Sequence, residues 1–410
     1  MPLRTPLTFL AALIGFFFLS SAAIAQDLHP ICKPALTSAI IVASPEQRVA
    51  AGAKAQPPIT DTANGFAWPD TPLGIIKTNN GYEFFGSDGG NHTRQMWQGQ
   101  WVGNNKYGSI VTTVGTLDNP LGSGDPKDVS VSPNRNSAVN PIYASYGYMG
   151  GGPVYQVPAG MPGAGNLLAT YHGELPVDAL YAALGLAAST DNGATWIDLG
   201  EIIRLNQAYS LGLDGFEIGD GPLVLSPDKK YFYLYFPDWI ANGTLHLTNL
   251  EGVNTTTNVS VARALVSDVL SAAFGSRPPH SIAFQKFYEG SWILQPAVGG
   301  ASTDLIPSSS YQGYLDIHFN SFLQRYVMII SNDTTFGYAE STDGLNWTLP
   351  ISLGTFGPIA AYPTAVGLGD DPHTLGQTFY VYFTHLPTNG AGWKGGELRR
   401  LTLSCQPTHY

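Results

Sequence analysis

Apolar and aromatic residues fall in short runs along this chain, and the runs come in pairs separated by Gly, Pro, Asn or Asp. In Gly74–Asp88, GIIKT and YEFFG flank the turn Asn79-Asn80-Gly81. Further pairs span Gly150–Glu174, Tyr314–Asp333 and Ala360–Leu386. The richest is Asp214–Trp239: Asp214, Glu217 and Asp220 precede LVL, the turn SPDKK follows, and YFYLYF ends on Asp238 and Trp239. Short β-prone runs bounded by turn residues read as β-hairpins. The strands of a hairpin run in opposite directions, so the start of the first and the end of the second share one sheet edge. Each second strand here is aromatic-rich and ends on polar groups: Asp88, His172 with Glu174, Asp238, Asp333 and His385. One segment departs from this pattern. Val261–Phe274 places Leu265, Val266, Val269, Leu270, Ala273 and Phe274 on one helical face, with Gly275 as a stop, and predicts a helix inside the third repeat.

Five hairpin-led repeats in a mostly strand chain predict an all-β fold, a five-bladed β-propeller over residues 66–405. In such a ring the inner-strand starts of all blades surround one mouth of the central channel. The ends of the second strands lie on the same face, so the polar groups named above are expected there. Two repeats carry a further signature. Ser189-Thr190-Asp191-Asn192-Gly193-Ala194-Thr195-Trp196 reads S-x-D-x-G-x-T-W, and Ser341–Trp347 is a shortened copy. Both resemble the Asp-box, a turn between the outer strands of a propeller blade in which Ser and Asp side chains bond turn amides. Its expected role is structural.

Residues 1–25 have the form of a secretory signal: Arg4, an apolar run Leu10–Leu19, and Ala23-Ile24-Ala25 before Gln26. The run is too short to span a bilayer, so an exported protein is expected. Residues 26–65 read as an N-terminal lead-in segment. The two cysteines, Cys32 and Cys405, stand near the two mature ends and are expected to pair in an oxidising compartment. Pairing requires the chain ends to meet, as a closed ring does. A formal net charge of −11 with only 19 Lys+Arg argues against nucleic acid or an anionic membrane as partner. A neutral polysaccharide suits this surface better, and a monomer is expected. Sequons at Asn91, Asn242, Asn254, Asn258, Asn332 and Asn346 can carry glycans only in a eukaryotic secretory pathway.

On this blade pattern, residues 66–404 resemble the five-bladed furanosidase-type propellers: glycoside hydrolases of families 43, 32, 68 and 117, and arabinanase-like relatives. The resemblance implies a glycosidase without an organic cofactor, acting on a furanose-containing polysaccharide such as an arabinan. In family 43 a base Asp opens the first blade, a pKa-setting Asp the second, and an acid Glu in an E-x-P context the third. Asp70, in WPDTPLG, stands where the base would be. Asp220-Gly221-Pro222 resembles E-x-P with Asp for Glu, and Glu217 is the other candidate acid. The second blade departs: Gly151-Gly152-Pro153 offers no carboxylate, which leaves Glu174 or Asp128 as substitutes. The chemistry needs one carboxyl protonated near neutral pH, and acids crowded in a channel raise one another's pKa.

Expected substrate contacts are Asp88, His172, Glu174, Asp238, Trp239, Asp316, His318 and His385. Asp316 and His318 alternate in YLDIHFN and so share one strand face. Trp239, Tyr362 and Trp101 are candidate stacking platforms for sugar rings. Each residue also has an ordinary structural reading: Asp before Thr-Pro or Gly-Pro suits a turn, and a strand His suits a core. A structural calcium ion beside Asp316 and His318 is an open alternative, although no cluster of oxygen ligands is evident. Two rival functions remain. A non-catalytic carbohydrate-binding propeller would fit the missing second-blade acid. A sialidase-like exo-glycosidase shares the Asp-box but needs an arginine triad, and Arg94, Arg135, Arg204, Arg263, Arg277 and Arg325 are not at blade starts.

Overall fold

A computed structural model describes residues 32–34, 39–43, 71–86, 95–97, 100–102, 109–120, 127–132, 148–175, 178–204, 218–219, 221–241, 255–293, 300–307, 310–311, 313–332, 334–386 and 397–406. The hairpins are the inner halves of five blades. Blade 1 is Gly74–Thr78, Gly81–Gly86, Ser109–Gly115 and Lys127–Ser132; blade 2 is Tyr148–Gln156, Leu167–Leu175, Asp178–Ser189 and Trp196–Arg204. Blade 3 is Leu223–Leu225, Tyr231–Ala241, Thr255–Leu265, Gln285–Tyr288 and Ser291–Ile293. Blade 4 is Leu315–Asn320, Arg325–Ser331, Thr335–Ser341 and Ile351–Thr355. Blade 5 is Ile359–Gly367, Thr378–Leu386 and Glu397–Cys405, edged by Cys32–Pro34 and Ile40–Ala43. The chain is a five-bladed β-propeller.

Strand alternation explains how neighbouring blades adhere. In YFYLYF, Phe232, Leu234 and Phe236 point to one face and join Leu184, Leu186 and Ile203 of blade 2. Tyr233 and Tyr235 point to the other face and join Ile317, Tyr326 and Met328 of blade 4. Similar cores lie between blades 4 and 5, with Ile329 and Phe336 against Phe379 and Phe383, and between blades 1 and 2, with Phe85 against Trp196. The ring closes where Ile75 and Phe84 of blade 1 meet Val366 and Tyr382 of blade 5. Fully burying such a side chain stabilises by roughly 1.5–3 kcal/mol, so the interblade seams carry most of the apolar gain.

Three elements differ from the sequence expectation. Val261–Leu265 is strand, and the helix covers only Val266–Phe274. VARAL pairs residue by residue with Tyr231–Tyr235, so the sheet ladder overrides helical periodicity until Val266. The second strand of blade 3 does not end at Phe236 but runs through Pro237 and Asp238 to Ala241. Pro237 has no N–H to give, and its partner Val259 instead donates its N–H to Asp304 at 3.1 Å and accepts from Leu305 N at 2.8 Å. Finally, Cys32–Pro34 and Ile40–Ala43, within the expected lead-in, pair with the last strand.

The N-terminal strand also brings Cys32 opposite Cys405, and the two form a disulfide across 373 residues. Both are buried. Cys405→Ser is expected to cost about 2–4 kcal/mol, because the unfolded chain regains the entropy of a very long loop and a buried thiol is left unpaired. Thermal melts of the wild type with and without reductant, beside the variant, check this. The Ser-x-Asp turns lie between the third and fourth strands of blades 2 and 4. Asp191 accepts from Thr195 N at 2.8 Å and from Thr195 Oγ1 at 2.6 Å, and Ser189 Oγ accepts from Gly193 N at 2.8 Å. Asp343 holds Leu345 N and Asn346 N in the same way.

Candidate active site

The register fixes which residues share the strand-start face. Gly150 at the start of blade 2 stands opposite His172, Leu315 of blade 4 opposite Ile330, and Ala360 of blade 5 opposite His385. Asp70, Glu217, Asp220 and Asp88 lie outside the described residues, as do the side chains of Glu174, Trp239, Trp101 and Asp128. The residues flanking the candidate acids are described. Thr71 is buried and its hydroxyl donates to Gly151 O. Ile218 is buried and its carbonyl lies 2.7 Å from His172 Nδ1. Gly151 and His172 belong to adjacent cross-strand pairs, Gly151 with Tyr171 and Gly150 with His172. The chain beside Asp70 and the chain beside Glu217 are therefore fastened to one spot on blade 2. Blade 2 meets them there with Gly150, Gly151 and Gly152, which add no side chain to the rim.

Blade 5 brings an aromatic group to the same face. Tyr362 has φ +57°, in a bulge between Ala361 and Thr364, and it precedes Pro363. A bulky residue held at positive φ is costly and persists only where its surroundings fix it. Its ring lies 4.1 Å from that of Tyr314 of blade 4.

Several expected contacts have other partners. Asp238 is fully buried inside blade 3, not presented at the mouth: Oδ2 takes the Lys286 ammonium at 3.0 Å and Ser302 Oγ at 2.6 Å. Lys286 also donates to Arg204 O and Gly300 O, so three acceptors surround the cation. Burial lowers its pKa and Asp238 opposes that shift. His385 is buried against Gly357 and lies 3.5 Å from Glu397. Burial first, then Arg399, lowers its pKa.

Asp316 and His318 do share a face, and that face lines the channel interior. The narrow cavity there has a volume of about 20 Å³, room for about one water molecule, and every blade contributes: Ile75, Val154, Leu223, Asp316 and Val366 among others. Asp316 Oδ2 lies 2.8 Å from His318 Nε2 and accepts from Ala365 N at 2.6 Å. His318 Nδ1 lies 3.0 Å from His373 O. The pair thus ties blade 4 to blade 5, and its polar atoms are engaged within the protein. Burial alone would depress His318, but the Asp316 carboxylate and the His373 carbonyl outweigh it and hold the pKa above 6.5. Among the described residues no group of three His, Cys, Asp or Glu is placed to hold a metal ion.

His373 was not singled out by sequence. It comes from the blade 5 hairpin loop, where Asp371 accepts from His373 N at 3.0 Å and from Thr374 Oγ1 at 2.7 Å. The signal was present as DPHT, an Asp that can cap its own turn. Its ring stacks on His318 at 6.0 Å and its Nε2 accepts from Gln156 N at 3.4 Å. Burial first, and then the charge of His318, pushes its pKa down to about 4. The unfolded chain protonates this histidine near its ordinary 6.5 and so binds more protons between the two values. The His373 contribution to stability is therefore present above pH 6.5 and is lost as pH falls towards 4. His318 has the opposite sign: its contribution is present below 6.5 and is lost as pH rises through its raised folded pKa. The difference in melting temperature between wild type and His373→Asn is expected to shrink from pH 7 to pH 4.5, and a pH series of thermal melts checks this.

No family model matches the chain, and no curated protein does. Solved structures match it weakly. It is similar to a family 117 glycoside hydrolase, Zg3597, from Zobellia galactanivorans, with 13% identity over 84% of this chain and 86% of that one, at a TM-score of 0.45. It is similar to a GH43_1 enzyme from Xanthomonas citri, with 12% identity over 81% and 86%, at 0.40. An α-L-arabinofuranosidase from Fusarium graminearum aligns with 10% identity over 81% and 92%, at 0.36. These similar structures are glycoside hydrolases, and at such identities the likeness concerns the ring and not its chemistry.

Proposed function

We propose that the chain is a secreted glycoside hydrolase that cleaves a furanose-containing polysaccharide at the strand-start mouth. Asp70 is the base, and Glu217 or Asp220 is the acid. The observation that carries the reading is the fastening of Thr71 to Gly151 and of Ile218 to His172. It draws the chain beside one acid from blade 1 and the chain beside others from blade 3 onto a single glycine-lined edge. Two carboxyls from different blades on one rim are what glycosidic cleavage requires. One protonates the leaving oxygen, and the other activates water or attacks the sugar carbon, depending on their separation. The reaction needs no organic cofactor. The Ser189–Trp196 and Ser341–Trp347 turns, read as Asp-boxes, hold the outer strands far from this rim. Export follows from the N-terminal signal.

The test is sugar release from a panel of arabinan, fructan, xylan and galactan by the purified chain. Soluble sugar from at least one polymer is expected. Glycan binding with no release from any of them would favour the non-catalytic carbohydrate-binding propeller.

A further inference from the structure

We propose that the opposite end of the channel holds a second binding site, a funnel that takes a small, mostly apolar ring bearing a carboxylate, with Lys229 holding the charge. The funnel has a volume of about 450 Å³ and is formed by the C-terminal ends of inner strands and the hairpin turns that follow them. Blade 2 supplies Tyr155 and Met161, blade 3 Leu225 and Lys229, and blade 4 Phe319 and Tyr326. This size is within the range of small-molecule pockets.

The funnel is separate from the strand-start mouth. The blade 5 loop folds inward, and Thr374–Leu375 pairs in parallel with Phe319–Asn320. That pairing sets His373 across the channel, stacked on His318. Beyond them the described residues leave a cavity of about 20 Å³, too narrow for a ring in the funnel to pass through it to the other mouth.

The lining chooses the ligand's chemistry. Its apolar part comes from Leu, Val, Met, Pro and Ala, with aromatic rings on opposite blades. Its polar side chains are mostly committed elsewhere. Ser226 Oγ bonds Asp228 at 2.7 Å and accepts from Tyr231 N at 3.0 Å. Tyr326 OH donates to Leu225 O at 2.7 Å, and the Gln156 amide donates to Gly165 O at 3.3 Å. A sugar would bring many hydroxyls into a wall with few free partners, and burying unpaired polar groups is costly. An aromatic or alicyclic ring meets no such penalty.

Charge then decides between a neutral and an anionic ring. The carboxylates at the rim are occupied: Asp371 by His373 N and Thr374 Oγ1, and Asp228 by Ser226 and Lys230. His318 is balanced by Asp316. Lys229 is exposed at the rim, held at φ +58° by its turn, and its ammonium has no partner among the described residues. A carboxylate is its natural complement, because a charge-assisted hydrogen bond is about twice as strong as a neutral one.

The experiment is calorimetry on the full chain with trans-cinnamate, its neutral amide cinnamamide, and arabinotriose. Cinnamate is expected to bind about ten-fold or more tighter than cinnamamide, as hydrogen bonds to charged groups allow. Lys229→Met should bring the two together by weakening cinnamate alone, and Ala159→Trp, on an exposed turn of the rim, should abolish both. Asp70→Asn should leave cinnamate binding unchanged, which separates this site from the proposed catalysis. No cinnamate binding at millimolar concentration, equal binding of acid and amide, or an acid–amide difference that survives Lys229→Met overturns the proposal. So does arabinotriose binding that Ala159→Trp removes.

Discussion

If Asp70 is the base proposed above, Asp70→Asn is expected to lower kcat by about 10²–10⁴-fold on the polymer that releases sugar in that panel, the usual contribution of a general base. The amide keeps the size of the carboxylate and an oxygen that accepts hydrogen bonds, so the melting temperature should stay close to wild type. KM should change little, because the lost interaction acts in the transition state and not in ground-state binding. The acid proposed for blade 3 is told apart by its leaving-group dependence. Glu217→Gln and Asp220→Asn are compared on the polymer and on an aryl glycoside whose phenol leaves without protonation. The variant that lost the acid is slow on the polymer and close to wild type on the aryl glycoside in the bond-breaking step. Asp70→Asn is slow on both. If Glu217→Gln and Asp220→Asn both match wild type on the polymer, blade 3 does not supply the acid.

The largest expected effect on stability comes from Lys286→Met. The ion pair with Asp238 has side chains 3% and 0% exposed. Removing the cation leaves a buried carboxylate with Ser302 Oγ as its one hydrogen-bond partner among the described residues, and breaking a buried pair from one side costs about 3–5 kcal/mol. Replacing both partners should cost far less, because a matched apolar pair leaves no charge behind. The double variant Asp238→Leu/Lys286→Met is therefore expected to recover most of the loss. Urea unfolding of the two single variants and the double checks this. A loss below about 1 kcal/mol for Lys286→Met would mean that water reaches Asp238.

These two residues also mark what could and could not be read from the chain. The blades were legible because YFYLYF, YVMII and FYVYF alternate between two buried faces, and because Pro-Asp, Asn-Gly and Gly/Pro turns separate them. Asp238 looked like a mouth residue because it follows Phe236-Pro237, where a strand is expected to stop. Its partner Lys286 is 48 residues away, and nothing in local spacing links them. His318 and Asp316 were placed on one face by alternation. That they close on each other and on His373 depends on a blade 5 loop that folds back across the channel. The closing strands Cys32–Pro34 and Ile40–Ala43 are three and four residues long, too short to show a period. They exist because the last strand of the chain offers an open edge.

A double-variant cycle at the two acids tests the central claim most directly. Two carboxyls that act on one bond form a functional unit, and losing the second adds little once the first is gone. Asp70→Asn is combined with the blade 3 variant of larger effect, and kcat is measured on the polymer. The account predicts that the double variant is about as slow as the slower single one, far from the product of the two losses. Full multiplication of the two effects would contradict it, because the acids would then be acting independently.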